Sequence, residues 1–214
     1  MIELIELLFS VIAVFVCMTV HECSHGLVSM WLGDPTAKRA GRLSFNPLRH
    51  LDWVCALCML LFRFGWAKPV PNNPNYYKNF RFGTVLVSIA GPISNILLAF
   101  LVLFVYGIVQ VFIPVHDLVF SFVLTMVYMN LGLAVFNCIP IPPLAGSKVV
   151  FALLPEKAYR FVLRYERYGF MILILLIYLN DTFDGLLTRG VNNLLTGMLH
   201  IINPILLWIA RLAG

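Results

Sequence analysis

Apolar residues in this chain cluster in long blocks separated by short polar, proline-rich or basic stretches. The first block, Leu4 to Leu32, is about 29 residues, enough for a helix to cross a hydrocarbon core ~30 Å thick at ~1.5 Å per residue. Gly33-Asp34-Pro35-Thr36 is a breaker cluster that ends it. The following segment to Asp52 carries Lys38, Arg39, Arg42 and Arg49, and the weak alternation of Ala40 to Phe45 predicts a short strand. Leu51 to Phe62 is apolar but only about 12 residues long, short for a span. Basic residues flank it on both sides, which predicts an element that dips into the membrane from the cytoplasm and returns. A tilted full span stays open.

Gly65 to Arg81 is a loop rich in Pro and Asn, and Phe82 to Ile113 is the second long block. Ala90-Gly91-Pro92-Ile93-Ser94-Asn95 interrupts it, with a kink expected at Pro92. Asn95 either bonds a neighbouring helix or serves the site. The link Pro114 to Leu118 has no Lys or Arg and reads as external; Val119 to Ile139 forms a third span. Pro140, Pro142 and Pro143 forbid regular helix after it, so an extended segment is expected there. Lys148 to Arg167 is basic and reads as cytoplasmic. Tyr168 to Asn180 and Leu194 to Ala210 give one or two further spans around a loop holding Asp181 and Asp184.

Composition agrees with the blocks. The chain has 214 residues, 61% hydrophobic and 12% charged, against about 25% charged in a soluble domain. The fold class is therefore an all-α polytopic membrane protein, multi-pass in the cell membrane, with the lipid bilayer as its first partner. The net charge of +5 lies between the apolar blocks, as topology determinants do, and gives no reason to invoke nucleic acid. Cys17, Cys23 and Cys138 read as small hydrophobes. Cys55-Ala-Leu-Cys58 lacks a second pair and reads as packing. The N-terminus has Glu3 and Glu6 and no basic residue ahead of the first block, so it does not resemble a cleaved signal peptide.

The chemistry concentrates in Thr19-Val20-His21-Glu22-Cys23-Ser24-His25-Gly26. Residues four apart share a helix face, so His21 and His25 can turn ring nitrogens toward one point. Two imidazoles at that spacing suit Zn²⁺, and Glu22 beside them is placed to accept a proton from activated water. Ionisable groups this deep in a hydrocarbon-length helix are costly and usually functional. The plain alternative is a His pair satisfied by neighbouring helices.

Six stretches together resemble the site-2 protease family of intramembrane zinc metalloproteases (peptidase family M50). They are His21-Glu22-x-x-His25, Gly33 to Ala37, Asn46-Pro47-Leu48-Arg49-His50, Gly65 to Pro71, Ala90-Gly91-Pro92-x-Ser94-Asn95, and Asn137-x-x-Pro140-x-Pro142-Pro143-Leu144-x-Gly146. They occur in the family's order across about residues 10 to 170. The resemblance implies one integral-membrane domain over residues 1–214: the metal-binding helix (1–32), a membrane-associated hairpin or re-entrant region (33–81), two further core spans (82–146) and C-terminal helices (147–214). It implies cleavage of a transmembrane protein substrate within or near its membrane segment, as in regulated intramembrane proteolysis. It also implies a third zinc ligand, an Asp, where this chain has Ala145. A methyl group cannot ligate a metal, so the resemblance implies an impaired enzyme. His50 and Asp52 are conceivable substitutes, and His116 and His200 read as structural. Trp53 and Cys55 depart from the Pro and Gly expected in the re-entrant piece.

The leading reading is an intramembrane zinc endopeptidase with His21 and His25 on the metal, Glu22 as base, and Asn95 and Asn137 as candidates to hold the substrate strand or the oxyanion. The second is a pseudoprotease that binds transmembrane segments without cutting them. A metal or small-ion transporter is weakest, since no paired broken helices in related halves are visible. Oligomerisation is left open.

Overall fold

The computed structural model describes residues 2–49, 69–155 and 181–213, together with 158, 168, 169, 171, 173 and 175. The expected re-entrant element at Leu51 to Phe62, with His50, Asp52, Trp53 and the Cys55/Cys58 pair, lies outside the described residues. Six α-helices are described: α1 (Ile2–Trp31), α2 (Thr36–Arg39), α3 (Phe80–Phe112), α4 (Asp117–Asn137), α5 (Ala145–Ala152) and α6 (Asp181–Ala213). Among the described residues there is no strand.

Among the described residues, four stretches are long and apolar enough to cross a membrane: Glu3–Trp31, Phe80–Phe112, Asp117–Asn137 and Gly185–Leu212. Their outward faces are apolar as well as their packed ones. Leu97 in α3 and Leu207 and Trp208 in α6 are each more than 60% exposed. A helix apolar all round needs hydrocarbon outside, so the chain is a multi-pass integral membrane protein. Pro92 sits inside α3, which runs on through it.

Contacts divide the chain into two compact units. One comprises Met1–Cys17, Asn95–Phe136 and Ile172–Gly214. Its core joins Ala99 and Leu103 of α3, Val123, Val127 and Leu131 of α4, and Val191, Met198 and Ile202 of α6. Gly107 lets α6 approach α3, since a Cβ there would stand 2.4 Å from Leu206 Cδ1. Asn95 and Asn130 are fully buried within this unit. The Asn95 amide donates to Cys17 O (3.1 Å) and to Asn130 Oδ1 (2.7 Å), and the Asn130 amide donates to Met126 O (2.8 Å). That is the helix-bridging role open to a membrane asparagine.

The other unit comprises Met18–Ser94 and Asn137–Met171. Its hub is Asp34, which follows Gly33 in the left-handed region (φ +100°) at the end of α1. Asp34 Oδ2 accepts from Ser29 Oγ (2.8 Å) and from the Asn73 N–H (2.6 Å). Its Oδ1 accepts from the Thr36 N–H (2.9 Å) and the Thr36 hydroxyl. Ser29 spends its one proton on Asp34, so the Tyr77 hydroxyl donates to Ser29 Oγ (2.8 Å). One carboxylate thus ties segment 73–77 to the end of α1.

Three expectations change. The strand expected at Ala40 to Phe45 is absent. The Arg42 N–H instead bonds back to Ala37 O (2.9 Å) and Gly41 takes φ +64°, closing α2 where a strand would have begun. The expected extended segment after α4 is a pair of tight turns, with Ile141 N–H on Ile139 O and Leu144 N–H on Ile141 O, both 2.9 Å. Prolines remove most of its donors, and the two that remain bond locally. Asp181 and Asp184, expected in a loop, lie in α6.

Burial acts to raise the Asp34 pKa, but the bonds from the Thr36 side chain, Asn73 N–H, Thr36 N–H and Ser29 outweigh it and hold the carboxyl below its ordinary range. A depressed carboxylate stabilises the fold above the unfolded-state value, near 3.9, and that contribution fades as pH falls through the lower folded value. Asp34→Asn should therefore cost on the order of 1–2 kcal/mol at pH 7, with the gap between the two proteins shrinking below about pH 4. Thermal unfolding in detergent across pH checks this; a gap that does not change with pH would contradict it.

Candidate metal centre

The apolar stretch of α1 ahead of His21 carries no helix breaker, so a continuous helix presents His21, Glu22 and His25 at fixed angles. The two imidazoles meet edge to face with ring centroids 4.7 Å apart. The Val87 carbonyl, on α3, lies 2.6 Å from His25 Nδ1. A carbonyl can only accept, so Nδ1 carries the proton and Nε2 keeps its lone pair for a metal. Gly91 lies one turn further along α3. A Cβ there would stand 2.6 Å from Nε2 of both His21 and His25, so the two nitrogens converge on a cradle that any larger residue would fill. Two converging imidazole nitrogens, one fixed by a carbonyl, fit the nitrogen ligands of Zn²⁺.

Glu22 is positioned from the other side. Its Oε2 accepts the Val70 N–H at 2.8 Å. Val70 stands between Pro69 and Pro71, so this is the sole backbone donor across the three residues. Gly26, one turn beyond Glu22, lets the same segment approach α1, since a Cβ there would meet Val70 Cγ1 at 3.0 Å and Leu43 Cδ2 at 2.6 Å.

These groups open on a cavity of about 330 Å³ within the second unit. His21, Glu22, His25, Asn137 and Ala145 all line it, and so does Lys148. Position 145 therefore shares a cavity with the two His, where it contributes a methyl group. Among the described residues no three His, Cys, Asp or Glu side chains gather to hold a metal. Asn95 is not among the lining residues; it belongs to the other unit, in the buried bridge described above. His116 accepts the Leu118 N–H on Nδ1 (3.2 Å) at the start of α4, as a structural residue would.

Sequence reasoning did not single out the Val87 carbonyl, the Val70 N–H or Lys148. The first two are backbone groups, which no side-chain pattern reveals. Lys148 was legible through spacing: Ala145, Lys148 and Phe151 lie three apart on one face of α5, and all three line the cavity.

Comparison with known proteins bears on the same residues. The profile of peptidase family M50 matches residues 9–179. Over 173 residues the chain is 38% identical to "Putative zinc metalloprotease YwhC" of Bacillus subtilis (strain 168), covering 78% of this chain and 79% of that protein. Over 163 residues it is 26% identical to "Putative zinc metalloprotease Rip2" of Mycolicibacterium smegmatis, covering 73% of this chain and 61% of that one. The protein of that name from Mycobacterium tuberculosis (strain H37Rv) is 26% identical over 174 residues, covering 79% of this chain and 66% of that one. No solved structure matches the chain at comparable significance. The match takes in the histidine pair, the Gly91 cradle and the turn leading to Ala145: the chain belongs to peptidase family M50.

Proposed function

We propose that this chain is an intramembrane zinc endopeptidase acting on the transmembrane segments of other proteins, with activity lowered by Ala145. The observation that carries the reading is the convergence of the His21 and His25 Nε2 atoms beside Gly91, with Glu22 lining the same cavity. The names of the relatives support it.

His21 and His25 would hold the zinc through Nε2. When bound, zinc supplies Lewis acidity toward a peptide carbonyl and toward water. Glu22 is the proton carrier. The Val70 N–H fixes Oε2 and leaves Oε1 to take a proton from the attacking water. The water oxygen joins the carbonyl carbon, the C–N bond breaks, and Glu22 returns the proton to the departing amine. Asn137, and Thr84 and Ser88 of α3, offer hydrogen bonds to a substrate strand. A helical substrate must unwind locally before its backbone can take them.

Ala145 gives a specific reason for a second reading, a pseudoprotease that holds transmembrane segments without cutting them. Restoring a carboxylate separates the two. A first-shell oxygen ligand should raise zinc affinity at least as much as outer-shell changes do, about 10–100-fold. Ala145→Asp is expected to raise zinc affinity by that amount and to create or strengthen cleavage of a membrane-embedded substrate, whereas Ala145→Val does neither. Tight zinc binding without cleavage by Ala145→Asp would favour the pseudoprotease.

Glu22→Gln in the Ala145→Asp background is expected to keep its zinc while turnover falls by about 10²-fold or more. Loss of zinc together with activity would instead make Glu22 a ligand. Gly91→Ala places a methyl in the cradle and is expected to cut zinc content sharply while the helical circular dichroism signal stays intact. Unchanged zinc binding in Gly91→Ala would place the metal elsewhere.

A further inference from the structure

Lys148 is a group the reaction described above does not use. It lines the cavity one helical turn beyond Ala145, on the face of α5 that also carries Phe151. Glu22 and Lys148 are the two fully ionisable charges among the described lining residues, one of each sign. Lys148, Glu22 and His25 all line this one cavity. Among the described residues, no carboxylate stands within ion-pair distance of it. A lysine ammonium here has three donors and a chemistry still to be assigned.

Peptide hydrolysis puts an anion into this cavity. Water adds its oxygen to the carbonyl carbon, the C–N bond breaks, both water protons end on the amine, which leaves as an ammonium, and the carbonyl half leaves as a carboxylate. Glu22, itself an acceptor, repels that product; Lys148 attracts it. We infer that Lys148 is the carboxylate-recognising group of this cavity, holding the C-terminal carboxylate of the peptide fragment on the carbonyl side of the cut. The inference rests on the endopeptidase reading for the origin of that carboxylate. It makes Lys148 a determinant of which peptides the cavity retains, with peptides ending in a free carboxylate as the ligand class. Charge-assisted bonds from an ammonium to a carboxylate are among the stronger hydrogen bonds, so the effect is measurable by binding alone.

The test uses the full chain in detergent micelles and a fluorescein-labelled hexapeptide of Ala, Leu and Ser, made once with a free C-terminal carboxylate and once as its amide. Fluorescence anisotropy, run with zinc added and again with metal chelated, gives both affinities. The native chain is expected to bind the acid about tenfold more tightly than the amide in both conditions. Lys148→Arg keeps that preference and Lys148→Met abolishes it. Equal binding of acid and amide by the native chain, binding of neither, or a preference that survives Lys148→Met overturns the assignment. So does a preference that vanishes on chelation, because a metal and not Lys148 would then hold the carboxylate. The endopeptidase reading fails separately, on cleavage by Ala145→Asp, a readout in which the hexapeptide plays no part.

Discussion

Pro69 and Pro71 have no N–H to give, so the backbone from Pro69 to Pro71 has one donor, and that donor meets Glu22 at 2.8 Å. Much of the second unit follows from this contact. A carboxylate on an apolar helix must find its partner inside the protein, because hydrocarbon offers none. The Val70 N–H is such a partner, and it costs the site no second side chain. To reach Glu22 the segment must come close to α1, which is why Gly26 stands there without a side chain. The same segment is tied down further along by Asp34, through Asn73 N–H and through the Ser29–Tyr77 relay.

The two histidines obey the same constraint. His25 gives its Nδ1 proton to the Val87 carbonyl, and that bond fixes both the tautomer and the ring orientation. Gly91, one turn on from Val87, keeps its side of the cradle open. One helix, α3, therefore both orients an imidazole and leaves open space beside the two rings. Elsewhere the membrane asparagines Asn95 and Asn130 satisfy each other and the Cys17 carbonyl. Burying such polar groups is tolerable only because each is paired.

The sequence showed the parts of this arrangement that rest on composition and on side-chain spacing. The long blocks matched α1, α3 and α4 within a few residues, because about 20 apolar residues in a row have few alternatives in a membrane. The histidine pair was legible because i and i+4 share a face. Local backbone bonding was not: the turns at Ala37–Arg42 and Ile139–Leu144 use N–H groups whose partners no pattern announces. The tie between Val70 and Glu22 spans 48 residues, and single-sequence periodicity carries no information at that range. Lys148 was visible as a cation on a basic stretch, and the topology reading absorbed it before its place on the α5 face was considered.

The central claim is that His21 and His25 hold zinc through nitrogen, in a cavity where position 145 supplies no ligand. Zinc K-edge absorption on the metal-loaded native chain tests this most directly. Two imidazole nitrogens are expected at about 2.0–2.1 Å with the rest of the shell light oxygen, and one imidazole fewer in His25→Ala. A shell containing sulfur, or one that His25→Ala leaves unchanged, would contradict it.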